Sequence, residues 1–134
     1  MRQRFLRSMD SLEAIFAFLD RFSDAEKLDP ASAYALTLAV EEFFTNIIKY
    51  GRGTEGAVVI EASRHGAAVT VHLEERTPEP FDVTRPTQTQ FEVPSTDRRP
   101  GGLGIHIAKE MLDGLSYDYS DGTSRITLTK LLEK

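Results

Sequence analysis

The chain contains no cysteine. That absence excludes disulfides, thiolate catalysis and zinc–thiolate sites. Long hydrophobic runs are also missing, and no apolar stretch approaches the ~20 residues a membrane-spanning helix needs. The N-terminal MRQRFLRSMD lacks the apolar core of a signal peptide, so the expected location is the cytoplasm. Positive charge is in deficit: 16 Lys and Arg stand against 21 Asp and Glu, a net charge of −5. This argues against nucleic acid or an anionic membrane as the main partner and accommodates a protein with a basic surface. Histidine is scarce. His65 falls in a turn, His72 on the polar face of a strand pattern and His106 inside a helical one. They form no ligand cluster, so no transition-metal site is supported.

What is present suits one soluble domain. The 134 residues are 40% hydrophobic and 28% charged, enough for a single core spanning 1–134. Residues 3–8 read as a short edge strand. Asp10-Ser11-Leu12-Glu13 reads as a capping box with Asp10 as N-cap. It opens a helix to about Lys27 whose stripe is Leu12, Ile15, Phe16, Leu19 and Phe22. Asp29-Pro30 starts a second helix, with Leu36, Val40, Phe43, Ile47 and Tyr50 on one face, ending at Gly51.

The apolar period then becomes two. Val58, Ile60 and Ala62, then Val69, Val71 and Leu73 after a turn at His65-Gly66, predict an antiparallel hairpin with one buried face. Residues 75–100 hold five of the six prolines and no sustained period, which predicts a long lid-like loop. A third helix is expected over 103–112, then strands over 115–120 and 124–132 joined at Asp121-Gly122. The order β-α-α-β-β-lid-α-β-β predicts an α+β fold. It is a two-layer sandwich whose mixed, mostly antiparallel sheet is covered on one face by three helices.

Two segments carry chemistry. In Glu41-Glu42-Phe43-Phe44-Thr45-Asn46, the residues Glu42 and Asn46 are four apart and share one helix face. A carboxylate beside a neutral amide oxygen suits a hydrated Mg²⁺ or an activated hydroxyl. Gly101-Gly102-Leu103-Gly104 offers bare backbone N–H groups where a helix begins, which suits phosphate. Together they suggest a nucleotide site. Taken singly, the two glutamates fit a solvated helix face and the glycines a hinge.

With these segments in order, the chain resembles the GHKL ATPase superfamily, the Bergerat ATP-binding fold. Within it, the likeness is to bacterial anti-sigma factor serine/threonine kinases of partner-switching systems. Ala39 to Asn46 looks like the family's N box, Gly101 to His106 like its second glycine box, and Asp121 to Leu128 like its final strand. The resemblance implies ATP and Mg²⁺ as cofactors, with 75–100 as the ATP lid. It implies that Asn46 holds Mg²⁺ and that Glu42 is the general base taking the proton of an incoming serine or threonine hydroxyl. It places Lys49, Glu75, Arg99, Gly101, Gly102, Leu103, Gly104 and Thr127 against the nucleotide, with Arg98 beside Arg99 in the lid and Thr127 near the adenine. Implied partners are a sigma factor and a STAS-type anti-sigma factor antagonist, with the protein itself a homodimer.

The first glycine box departs from the family. Aligned on Phe81-Asp82, Arg76 takes the place of the adenine-binding Asp and Pro78 that of a Gly. An arginine cannot accept a hydrogen bond and a proline has no N–H. Glu74 or Glu75 fills the acceptor role if the register shifts by one or two residues. Tyr50 stands where the family commonly has His, and Ser124 where it has Asn. Two functions therefore follow as expectations. One is an ATP-dependent anti-sigma kinase that phosphorylates its antagonist; the other is a nucleotide-independent module of the same fold acting by protein–protein contact alone. The ATP-binding half of a histidine kinase is disfavoured, because no helical phosphoacceptor hairpin is evident upstream.

Overall fold

Strict alternation of apolar residues builds the sheet, and their shared parity decides where the helices sit. The computed structural model describes residues 1–50, 56–80, 82 and 107–132. Its elements are β1 (Arg2–Leu6), α1 (Leu12–Ala25), α2 (Pro30–Tyr50), β2 (Ala57–His65), β3 (Ala68–Arg76), β4 (Gly114–Ser120) and β5 (Thr123–Leu131). Residues 107–111 form a third helical segment. The strands make one five-stranded sheet in the order β1-β2-β3-β5-β4. Every pairing is antiparallel, so no parallel pair occurs among the described strands.

Phe5, Val58, Ile60, Ala62, Val69, Val71, Leu73, Ile126 and Leu128 all point to one face and are buried. Onto them pack Ile15, Phe18, Leu19 and Phe22 of α1, the apolar stripe of α2, and Ala108 of the third segment. The result is the two-layer α+β arrangement. Phe5 and Phe18 meet edge to face with ring centroids 5.6 Å apart, fixing α1 on β1. Full burial of one such side chain stabilises by about 1.5–3 kcal/mol.

Three local features set the chain ends of these elements. Asp29 Oδ2 accepts from the Ser32 amide at 3.0 Å, so α2 begins with a side-chain cap followed by proline. Hydrogen bonding from the Ser32 side chain, and then from its amide, holds the Asp29 carboxyl below the usual carboxylate range. The entry to α1 differs from the capping box expected at Asp10. A 3-10 turn, Met9–Ser11, precedes the helix, and Ser8 caps that turn by accepting from the Asp10 amide at 3.2 Å. Ser8 has the extended backbone a cap needs, whereas Asp10 is already inside the turn. Ser11, the N-cap of α1, makes no side-chain cap bond and instead donates its hydroxyl to the Leu6 carbonyl at 2.7 Å. At the β4–β5 turn, Asp121 and Gly122 both take positive φ, 51° and 77°, the signature of a tight hairpin turn.

Phe81, residues 83–100 and the glycine run Gly101–Gly104 lie outside the described residues. So do the expected contributions of Arg98, Arg99, Leu103 and His106.

Candidate nucleotide site

The C-terminal half of α2 carries the first part of the site. Its apolar stripe turns one side of the helix down onto the sheet, and the residues flanking that stripe, Glu42 and Asn46, are carried partly under cover with it. Asn46 is only 1% exposed. Neither its Oδ1 nor its Nδ2 has a hydrogen-bond partner, and Glu42 Oε1 is likewise buried and unpartnered. A buried amide or carboxylate left in this state costs roughly 1–3 kcal/mol for each unmet group, so native proteins keep few of them. Three such atoms one helical turn apart are therefore what a polar ligand or a cation shell would satisfy.

Burial pushes the Glu42 carboxyl above its ordinary pKa. The nearby Asn46 amide opposes the rise, although no hydrogen bond of ordinary geometry joins the two. Glu41 adds to the rise and Lys49 opposes it. Lys49 is exposed in the last turn of α2, where its charge also suits the helix dipole. A carboxylate with a raised pKa is a better proton acceptor near neutrality than an ordinary glutamate. The donor set suits a hard cation: amide oxygen and carboxylate are oxygen ligands, and Mg²⁺ commonly takes only one or two protein ligands. Among the described residues no three His, Asp or Glu side chains group as a metal site.

The second part lies where β3 ends. Glu75 shares the inward parity of Val71 and Leu73 and is 8% exposed. Arg76, next along, points outward. Glu75 is pinned by Arg7, whose Nε donates to Oε2 at 3.0 Å. The Nη2 of Arg7 also donates to the Ile47 carbonyl at 2.7 Å, in the last turn of α2 where carbonyls lack helical partners. Burial raises the Glu75 carboxyl and Arg7 pulls it back down. Directly opposite Glu75 on β5 is Ser124, also buried. Its hydroxyl bonds Thr77 Oγ1 at 2.8 Å and Tyr117 OH at 3.0 Å, while Tyr119 OH donates to the Thr77 carbonyl at 3.0 Å. Glu74 faces the other side of the sheet and pairs with Arg125 at 3.0 Å.

The structure thus brings Glu42, Asn46 and Lys49 together on α2 and sets Glu75 inward beside the end of that helix. It does not bring Thr127 to them. Ile126 and Leu128 face the helices, so Thr127 between them faces away, where its hydroxyl bonds His72 Nδ1 at 3.0 Å. Arg7, Thr77, Tyr117 and Tyr119 are the residues that sequence reasoning missed, and Ser124 entered it only as a departure from the family pattern. Ser124 was reachable by counting in twos back from Leu128. Arg7 carried no signal, because its partner lies 68 positions away. A cavity of about 470 Å³ opens beside the third helical segment, lined by Lys109, Leu112, Leu115 and Tyr117 among others; Glu42 and Asn46 do not line it.

Comparison with known proteins agrees with this fold. The serine/threonine-protein kinase BtrW of Bordetella bronchiseptica is 26% identical over 98 residues, 72% of this chain and 68% of BtrW. The RsbU and RsbW domains of a Mycobacterium tuberculosis protein superpose over 98% of this chain with a TM-score of 0.71 and 16% identity. This chain spans only 31% of that structure. The SiaB–SiaC complex of Pseudomonas aeruginosa matches over 98% of this chain and 89% of its own, with a TM-score of 0.60 and 17% identity. At these identities the two structures establish the fold. The family model for the histidine kinase-like ATPase domain matches residues 5–130, and the chain belongs to that family.

Proposed function

We propose that this chain is an anti-sigma regulatory factor that binds MgATP and phosphorylates a serine or threonine of a small antagonist protein. The observation that carries the reading is the buried, unpartnered amide of Asn46 one turn from the buried, unpartnered Oε1 of Glu42 on α2, in a chain of the ATPase family. The amide and carboxylate of that pair fit an oxygen-liganded ion, with Asn46 as its protein ligand. A magnesium ion there would offset the negative charge of the phosphates. Glu42 takes the proton of the incoming hydroxyl as that oxygen bonds the terminal phosphorus and the bond to ADP breaks; burial raises its basicity for that task. Glu75 reads the nucleobase by accepting from the exocyclic amine of adenine, with Ser124 across the strand pair. Arg99 and the backbone of Gly101, Gly102, Leu103 and Gly104 receive the phosphates, as the family resemblance implies.

The likeness to BtrW supports the kinase activity, and the RsbW and SiaB likenesses support a regulator that meets STAS-type antagonist partners. When the antagonist is phosphorylated, the protein is free to hold a sigma factor, in the manner of cytoplasmic partner-switching systems, and it works as a homodimer. No helix among the described residues is long and apolar enough to cross a membrane.

One observation favours a second reading. Glu75 is already occupied on one oxygen by Arg7, and Arg76 and Pro78 replace the usual base-binding residues. A module that regulates by contact alone tolerates such changes. Incubation with labelled ATP, Mg²⁺ and the cognate antagonist separates the two. The kinase reading expects label on the antagonist, lost in Glu42→Ala. An unlabelled antagonist that still binds the wild-type protein supports the contact-only module.

A further inference from the structure

The ion pair between Arg7 and Glu75 joins three elements. Arg7 follows the edge strand β1, Glu75 ends the central strand β3, and Ile47 belongs to the last turn of α2. The arginine uses two different nitrogens for two acceptors, and both ends of the pair are mostly covered, 15% and 7% exposed. Such a pair restrains both side chains, because the guanidinium is a planar fork with fixed donor directions. The sheet order separates what lies on each side of Glu75. Arg7 arrives from the side of β1 and β2, whereas Ser124 and the hydroxyls of Thr77, Tyr117 and Tyr119 lie toward β5 and β4. Only Oε2 is taken by Arg7, which leaves Oε1 as an acceptor.

We propose that Arg7 is a positioning residue for nucleobase recognition, anchoring the Glu75 carboxylate from the β1 side so that it accepts from the exocyclic amine of adenine. This rests on the nucleotide-binding reading above. Burial alone drives Glu75 toward its protonated form, and Arg7 is the one charged side chain acting against it among the described residues; Ser124 and Thr77 are neutral. A protonated Glu75 no longer prefers an amine over a carbonyl, since it donates as well as accepts. Arg7 therefore sets base selectivity as well as local packing.

The test compares ATP with ITP, which carries a carbonyl in place of the amine, using the full chain with Mg²⁺ between pH 6 and 9. The wild type is expected to prefer ATP by about tenfold or more, the usual worth of a hydrogen bond to a charged group, with little pH dependence. Arg7→Met is expected to lose the preference at neutral pH and regain it as pH rises. A purely structural role would instead weaken both nucleotides together. An Arg7→Met protein with wild-type preference and pH profile overturns the proposal. Glu75→Gln is the second variant: its amide is expected to bind ATP and ITP alike at every pH, and a wild-type preference there overturns the proposal also. Equal binding of the two nucleotides by the wild type overturns the role of Arg7 but leaves the nucleotide reading standing, whereas binding of neither removes both.

Discussion

Replacing Asn46 with leucine should make the nucleotide-free protein more stable. The side chains are similar in size, and Asn46 is 1% exposed with neither polar atom hydrogen-bonded. Leucine removes a buried polar group that has given up water without gaining a partner, a saving of about 1–3 kcal/mol. For a domain of this length about 1 kcal/mol corresponds to ~3–5 °C in Tm, so the variant should melt some 3–15 °C higher. The same change removes the proposed ligand for the ion. Saturating MgATP at a hundred times Kd adds about 2.7 kcal/mol to a binding protein and should raise the wild-type Tm while leaving the variant unmoved. Thermal melts of both proteins with and without MgATP test this. A variant that melts lower than the wild type without nucleotide would refute the reasoning, because Asn46 would then be a structural residue with its hydrogen bonds met.

Further expectations follow from the same geometry. For Glu42, the folded pKa is raised above its ordinary value of 4.5, so its contribution to stability is full below that value and is lost as pH rises through the folded pKa. Glu42→Gln should therefore melt higher than wild type at neutral pH, with the gap closing toward pH 4, while phosphorylation of the antagonist disappears; a gap that widens in acid would contradict the assignment. Ser124→Ala should weaken ATP binding, whereas Thr127→Val should leave it unchanged, as calorimetric titration of each variant would reveal. Phe18→Ala removes the ring against Phe5 and should lower unfolding stability by about 3–5 kcal/mol in denaturant titrations.

Much of the fold is legible in the sequence because its signals are local. The Asp29-Pro30 start of α2, the two alternating runs of β2 and β3, and Asp121-Gly122 each act within a few residues. The α1 stripe is less legible. Phe16 and Phe18 both fit helical spacing with Ile15, Leu19 and Phe22, yet Phe18 is the one fully buried. The choice depends on how α1 is rotated against Phe5 of β1, a contact between elements. At the site, parity along a strand and motif alignment point to different residues. Alignment on Phe81-Asp82 put Arg76 at the base-reading position, whereas the pleat that buries Val71 and Leu73 brings Glu75 inward. The same alternation turns Thr127 away from α2. Arg7 was not legible at all, since its role exists only once β1, α2 and β3 are packed together.

The central claim is that Glu42 and Asn46 form part of a working nucleotide site. Calorimetric titration of the wild-type protein and of Asn46→Ala with ATP and Mg²⁺ tests it most directly. The account expects saturable micromolar binding by the wild type that Asn46→Ala abolishes. Absence of heat at millimolar ATP, or equal binding by both proteins, would contradict it.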